Sequence, residues 1–308
     1  MSFLYKSEPL RGARWAELFA ARAPEIDFHI WPAVDDPSQV RYLAAWQPPE
    51  NIAETFPNLE LVFSVGAGVD QFDLSCIPEH IPVVRMIEPG LIAGVVEYAT
   101  LAVLAAHRDW ITYIAQQQQG QWRPKPVCTA DSRRVGVMGM GVLGRAVLEK
   151  LRDFGFRCAG WSRSEHNLPG IECYTGEQGL EDFLERSDIL VCLLPLTDST
   201  RGILSTELFR QLPKGAVLIN MGRGDHLIEE DLLDALYRDR LSAAILDVCS
   251  VEPLPKEHIF WRHPRILLTP HIAGMTQADS SAEIVLDNLR RHREGAPLVG
   301  LVNRERGY

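Results

Sequence analysis

Short apolar runs set between stretches of helical periodicity recur along the chain. In the first hundred residues they fall at 26–30, 42–46, 59–65 and 82–85. Such short runs fit strands, and their spacing leaves room for crossover helices. A parallel sheet is therefore predicted. One long helix is predicted over about 94–119, ending at a glutamine tract and the breakers Gly120, Pro124 and Pro126. The rhythm then restarts, with strands at 134–138, 157–161, 189–194, 216–219, 243–246 and 265–268. Helices are predicted at 142–154, 206–212 and 229–238, with a closing one at about 275–293. The fold class this implies is α/β, with two doubly wound, Rossmann-like parallel-sheet domains. Residues 1–98 plus 273–308 make a flavodoxin-like domain, into which a nucleotide-binding domain, 99–272, is inserted.

Strand 134–138 runs into Gly139-Met140-Gly141-Val142-Leu143-Gly144, which opens a helix. A bare G-x-G-x-x-G is weak, but between a buried strand and a helix it makes a phosphate cradle at the helix N-terminus. The following strand ends in Trp161-Ser162-Arg163-Ser164, where a site built for NAD would present an acid to the ribose. A cation and hydroxyls in that place suit a 2′-phosphate, so NADP(H) is expected, with NAD(H) as the second possibility.

Three charged or ionisable residues each follow an apolar run: Arg223 after 216–219, Glu252 after 243–246 and His271 after 266–268. Open α/β sheets bind ligands beyond the carboxyl ends of their strands, so the three are expected to share one crevice. A carboxylate beside an imidazole favours the protonated ring and fixes its orientation. The ring's other nitrogen is then left to pass a proton to a substrate oxygen. A guanidinium can grip a carboxylate in two parallel hydrogen bonds and polarise an adjacent carbonyl. Together they suit hydride reduction of a 2-oxo acid. Plainer readings stay open residue by residue: Arg163 as a solvated loop residue, Glu252 as a solvated carboxylate, Arg223 as a partner of Asp225.

The formal net charge of −10 argues against nucleic acid or an anionic membrane as partner, since both recruit basic patches. Six cysteines without paired spacing read as reduced thiols in a cytoplasmic protein. No apolar run approaches a membrane span in this reading, and no short histidine spacing indicates a metal.

At these residues the chain resembles the D-isomer-specific 2-hydroxyacid dehydrogenases, and within them the glyoxylate/hydroxypyruvate reductase A branch. The likeness is carried by Ser64-Val65-Gly66-Ala67-Gly68-Val69-Asp70, the glycine loop, Trp161 to Ser164, Leu193 to Thr197 with Thr200-Arg201-Gly202, the Arg223 turn, Asp247 to Pro253, Trp261 to Pro264, Thr269-Pro270-His271 and the tail from Arg304. The resemblance implies that Arg223, Glu252 and His271 are the catalytic arginine, glutamate and histidine. Backbone N–H groups near Ala67 and Gly68 would bind the substrate carboxylate, and Trp46 would narrow the pocket. Asp247 would hold the nicotinamide amide. Leu194, Pro195, Thr200, Met221, Gly222 and Ala273 would line the cofactor cleft. It implies reduction of glyoxylate and hydroxypyruvate with NADPH, and a homodimer. Cys249, where the family usually has an aromatic, and Met221-Gly222 depart from its pattern and leave the preferred acid open, a bulkier phenylpyruvate-type acid included. A nicotinamide-sensing scaffold of the same fold is the reading from another class.

Overall fold

The structure, a computed structural model, describes residues 1–308. The chain divides into two compact units, Met1–Ile92 with Gly274–Tyr308, and Ala93–Ala273. In chain order the first unit opens with β1 (Ser2–Lys6), α1 (Pro9–Arg22), β2 (Asp27–Ile30), β3 (Val40–Ala45), the single turn α2 (Ile52–Thr55), β4 (Leu61–Ser64) and β5 (Val83–Val84). Its parallel sheet has the order β2-β1-β3-β4-β5, the flavodoxin-like order.

Alternate residues of β1 and β3 feed two different cores. Phe3, Tyr5, Tyr42 and Ala44 pack with Trp15 and Phe19 on one face, and Leu4, Leu43 and Ala45 pack with Ile52 and Phe56 on the other. Both faces are covered, which is why residues 42–46, spanning most of β3, read as an apolar run.

The sequence reading did not single out β1 or α1. In β1 the polar letters Ser2, Tyr5 and Lys6 mask a strand, and in α1 Pro9 sits in the first turn, where proline is well tolerated. The predicted single helix over 94–119 is two helices, α3 (Pro89–His107) and α4 (Trp110–Gln118). Asp109 separates them in a left-handed conformation at φ 56°, which no continuous helix accommodates. The expectation that no segment approaches a membrane span is also corrected. By length and composition alone α3 could cross one, because Glu97 is the one acid within 19 residues of Ala, Val, Leu, Ile and Gly character. Only 28% of its apolar window is buried within the chain.

The second unit continues with β6 (Arg134–Met138), α5 (Val142–Asp153), β7 (Arg157–Ser162), β8 (Glu172–Thr175), α6 (Gly176–Glu185), β9 (Ile189–Cys192), α7 (Thr206–Gln211), β10 (Ala216–Asn220), α8 (Glu229–Tyr237), β11 (Leu241–Leu246) and β12 (Ile266–Leu268). The seven strands are parallel in the order β12-β11-β10-β9-β6-β7-β8. The order reverses between β6 and β9, where doubly wound sheets open their ligand crevice. The edge strand β8 and helix α6 also escaped the sequence reading: β8 is polar and only half-buried, and α6 begins on a glycine.

The chain closes with α9 (Ala278–Glu294), which returns to the first unit and buries Ala282, Val285 and Leu289 in its core. There the fully buried carboxylate of Glu88 gathers two separate stretches of chain. It accepts from Gly90 N at 2.5 Å and Leu91 N at 2.7 Å on one, and from Gln277 N at 3.0 Å and Ser280 Oγ at 2.5 Å on the other.

Candidate functional site

Within the second unit, each member of the trio stands on the loop leaving a strand's carboxyl end: Arg223 after β10, Glu252 after β11 and His271 after β12. These strands are neighbours in register, Asn220 beside Leu246 and Leu246 beside Leu268. The loops are drawn together by a close backbone approach. A Cβ on Gly224 would lie 1.9 Å from the carbonyl carbon of Cys249, so only glycine lets the Arg223 turn rest on the Glu252 loop.

His271 Nδ1 lies 2.8 Å from Glu252 Oε2. The other carboxylate oxygen, Oε1, accepts from Cys249 N at 3.0 Å, which fixes the direction of the acid. Nδ1 is therefore the donor to the carboxylate, and Nε2 is the nitrogen left for chemistry. Burial pushes the Glu252 carboxyl up. The hydrogen bonds from His271 and Cys249, with the charges of His271 and Arg223, outweigh it and hold the group below the ordinary glutamate value. The Cys249 thiol is pushed up to about 11 by burial and by Glu252, Glu229 and Asp247, so it stays protonated.

His271 itself has a left-handed backbone, φ 54°, which is costly for a side-chain-bearing residue and persists only where neighbours impose it. The imposing group is Asp247. Its carbonyl accepts from His271 N at 2.8 Å. Its carboxylate, 1% exposed, accepts from Thr269 Oγ1 at 2.7 Å, Ile272 N at 2.9 Å and Ala273 N at 2.8 Å. Tyr98 adds a further link, 2.5 Å from Thr269 Oγ1. Burial keeps its hydroxyl protonated, pushed up to about 12, so the hydrogens run from Tyr98 to Thr269 to Asp247. The resemblance assigns Asp247 to a nicotinamide amide; its two oxygens also serve the loop that carries His271.

The Arg223 guanidinium donates through Nη1 to Gly222 O at 2.9 Å. Asp225, the alternative partner weighed from sequence, forms an ion pair with Arg201.

The glycine loop fits a dinucleotide. Gly139 has φ +103°, and a Cβ on Gly144 would lie 1.7 Å from Gly139 O, so both positions demand glycine. A Cβ at Gly141 would meet nothing within 4 Å, which leaves open space at the N-terminus of α5 beside Val142 and Leu143. Met140 turns its side chain into the core against Gly160, so only its backbone belongs to the loop surface. At the end of β7, Trp161 Nε1 donates to Gly176 O at 2.9 Å, Ser162 Oγ to Ser164 O at 2.7 Å and Thr175 Oγ1 to Arg163 O at 3.0 Å, and no acid stands among these four residues. Thr200 folds the Leu194–Pro195 loop by donating to Pro195 O at 2.7 Å. Met221 is buried at the start of the Arg223 turn.

In the first unit the remaining expected residues form their own small group. The Trp46 ring lies where a Cβ on Gly66 would be, 2.9 Å away. Ser64 Oγ donates to Gly68 O at 2.8 Å, which shapes the turn around Ala67. Sequence reasoning missed Tyr98 and His226, and gave Thr269 no task. An acceptor or donor three residues past Arg223 was the one available signal for His226.

The sequence model described as "D-isomer specific 2-hydroxyacid dehydrogenase, NAD binding domain" matches residues 100–273. The chain is 39% identical over 315 residues to the glyoxylate/hydroxypyruvate reductase A of Salmonella newport, covering all of both chains. It is similar to the crystal structure of a D-isomer specific 2-hydroxyacid dehydrogenase from Xanthobacter autotrophicus in complex with NADPH and MES. There the TM-score is 0.94 at 36% identity, over 100% of this chain and 99% of that one. It also matches an NADPH-dependent glyoxylate/hydroxypyruvate reductase from Sinorhizobium meliloti in complex with NADP and sulfate. The TM-score there is 0.92 at 33% identity, over 100% and 99% of the two chains. With this strand order, this histidine–glutamate pair and these relatives, the chain belongs to the D-isomer-specific 2-hydroxyacid dehydrogenase family.

Proposed function

We propose that the chain reduces small 2-oxo acids, glyoxylate and hydroxypyruvate first, to the 2-hydroxy acids with NADPH. The observation that carries this reading is the 2.8 Å contact between His271 Nδ1 and Glu252, on loops beyond the carboxyl ends of β12 and β11, whose neighbour β10 leads into Arg223. Bound nicotinamide would supply the hydride. Arg223 holds the substrate carboxylate and polarises the neighbouring carbonyl. His271 donates its Nε2 proton to the carbonyl oxygen as that oxygen gains charge, and Glu252, accepting from Nδ1, holds the ring in place for the transfer. In oxidation the same nitrogen takes the proton back. Gly139 to Gly144 cradle the pyrophosphate, and Ser162, Arg163 and Ser164 receive the 2′-phosphate. Unit Ala93–Ala273 is thus the cofactor domain, and the turn around Ala67 and Gly68, with Trp46, is the substrate-recognition element of the other.

The same reading makes the protein a cytoplasmic homodimer. All six cysteines are free, which suits a reducing compartment. The face of α3 and α4 and the segment after it expose Leu101 (62%), Trp110, Ile114, Trp122 (96%) and Val127. An apolar face of that kind fits a second copy of the chain. Light scattering of wild type and of a Leu101→Glu, Trp122→Ser double variant tests it: a monomeric wild type rejects the dimer.

Initial rates at the reduced-nicotinamide absorbance, with NADPH and NADH and with glyoxylate, hydroxypyruvate and phenylpyruvate, test the reaction. Turnover on the two small acids, lost by about 10²–10⁴-fold in His271→Ala, is expected. A wild type that turns over none of them rejects the proposal, and preference for phenylpyruvate reassigns the substrate.

A further inference from the structure

His226 is completely buried, at 0% exposure, and the proton transfer described above makes no use of it. It sits three residues beyond Arg223, in the helical turn Gly224–His226. Its ring nitrogens face partners of fixed character. The backbone N–H of Arg223 donates to Nδ1 at 3.1 Å, and Cys192 Sγ lies 3.8 Å from the same nitrogen. Nε2 lies 3.3 Å from the carbonyl oxygen of Pro195. An amide N–H can only donate and a carbonyl can only accept, so the ring is neutral with its hydrogen on Nε2.

The two partners belong to different loops. Arg223 follows β10, whereas Pro195 follows β9, and the Pro195 carbonyl is also held by Thr200 Oγ1 at 2.7 Å. The ring fills the space between them closely. A Cβ on Gly222 would lie 3.0 Å from His226 Nδ1 and Cε1 and 3.1 Å from Leu194 O. The main chain repeats the link, since Leu204 N donates to His226 O at 2.8 Å. An apolar residue of similar volume would fill the cavity, but would leave the Arg223 N–H and the Pro195 carbonyl without this partner.

We propose that His226 is a positioning residue: through Nδ1 it sets the orientation of the Arg223 turn, and through Nε2 it ties that turn to the Leu194–Thr200 loop. This rests on the reductase reading, in which Arg223 grips the substrate carboxylate and the Leu194–Thr200 loop borders the cofactor. The ring exchanges no proton with substrate, because its Nδ1 partner is a peptide N–H that has none to give at neutral pH. Its effect reaches the reaction through Arg223.

Three variants separate the two nitrogens. Asparagine places an amide oxygen as many bonds from the backbone as Nδ1, and glutamine places an amide nitrogen as far out as Nε2. His226→Leu keeps neither. Steady-state kinetics on glyoxylate and NADPH affinity by nicotinamide fluorescence are measured for each, with thermal unfolding as a folding control. His226→Leu is expected to raise the oxo-acid KM by roughly tenfold or more, with a smaller change in kcat. His226→Asn should return that KM to within about threefold of wild type, whereas His226→Gln should keep wild-type NADPH affinity but leave the oxo-acid KM high. If His226→Leu does not fold, the contrast between asparagine and glutamine decides. Equal kinetics in those two variants, or an unchanged KM in a folded leucine variant, overturns the proposal. A wild type inactive on every 2-oxo acid instead removes the reductase reading, and this role with it. The ¹⁵N spectrum of histidine-labelled protein checks the ring separately: a His226 hydrogen on Nδ1 contradicts the assignment whatever the activity.

Discussion

Replacing Asp247 by asparagine tests how the His271 loop is held, and its size follows from three hydrogen bonds. The carboxylate accepts from Thr269 Oγ1, Ile272 N and Ala273 N. An amide has one oxygen. Facing Thr269 and Ile272, it turns its NH₂ group on the Ala273 N–H; flipped, it turns the NH₂ on Ile272 N. Either way at least one buried N–H loses its acceptor, at about 1–3 kcal/mol, and the remaining bonds lose the charge that strengthens them. The sum is about 3 kcal/mol. The loop also stores the left-handed backbone of His271, of order 1–3 kcal/mol, and opening releases it. The least costly response is therefore for residues 269–273 to open and carry His271 away from Glu252. About 3 kcal/mol corresponds to roughly a hundredfold loss in kcat/KM. Because the break is local, the unfolding midpoint should fall by only about 5 °C, less than the 6–12 °C that the same energy removes when lost globally from a domain of this size. Steady-state assay and calorimetry on Asp247→Asn read both quantities. A variant within threefold of wild type in kcat/KM and within about 1 °C in midpoint refutes the argument that Asp247 holds His271 in place.

Other expectations follow from single contacts. Glu252 titrates below the ordinary glutamate value, so its pairing with His271 contributes stability above about pH 4 that is lost as the pH falls through the depressed value. Both side chains are about a third exposed, so the contribution is at most about 1 kcal/mol, and denaturant titrations of wild type and Glu252→Gln should converge in acid; parallel curves down to pH 3 would contradict this. Glu88→Ala leaves the N–H groups of Gly90, Leu91 and Gln277 without their acceptor and should cost about 3 kcal/mol of unfolding free energy in urea titration; a loss under 1 kcal/mol would show the clasp to be dispensable. Arg163→Glu should raise the KM for NADPH at least tenfold and that for NADH less than threefold, and equal shifts would remove Arg163 from 2′-phosphate recognition.

The parts of this fold that could be read in the sequence are those where one physical demand dominates. β9, β10 and β11 are covered on both faces and appear as apolar runs. Gly139 and Gly144 lie where backbone crowding admits no side chain, and the trio residues follow those runs at once. What stayed hidden depends on context that letters do not carry. The residues of β1 read as a polar start because Tyr5 and Lys6 complete their hydrogen bonds through Arg11 and Gln47. Asp109 breaks a helix through its backbone conformation, not through low propensity. Asp247 sits within a motif that pointed to a cofactor contact, and only the positions of Thr269, Ile272 and Ala273 show its carboxylate already engaged. His226 looks like any core histidine until its two nitrogens find an amide and a carbonyl on different loops.

The return of the last helix to the first unit bears on how the nascent chain acquires its shape. Val285 and Leu289 of α9 complete a core that begins with Phe3, and the stretch Gly300–Val302 lies along β5. A ribosome adding about 5–20 residues per second needs of order ten to forty seconds to travel from the end of β5 to α9. Throughout that interval Phe3, Phe19 and Phe63 wait beside an unfinished wall, while the intervening segment, continuous in sequence, gains all its strands before α9 is made. The inserted unit is thus the first able to fold during synthesis, and the opening ninety residues are the stretch that most needs a chaperone.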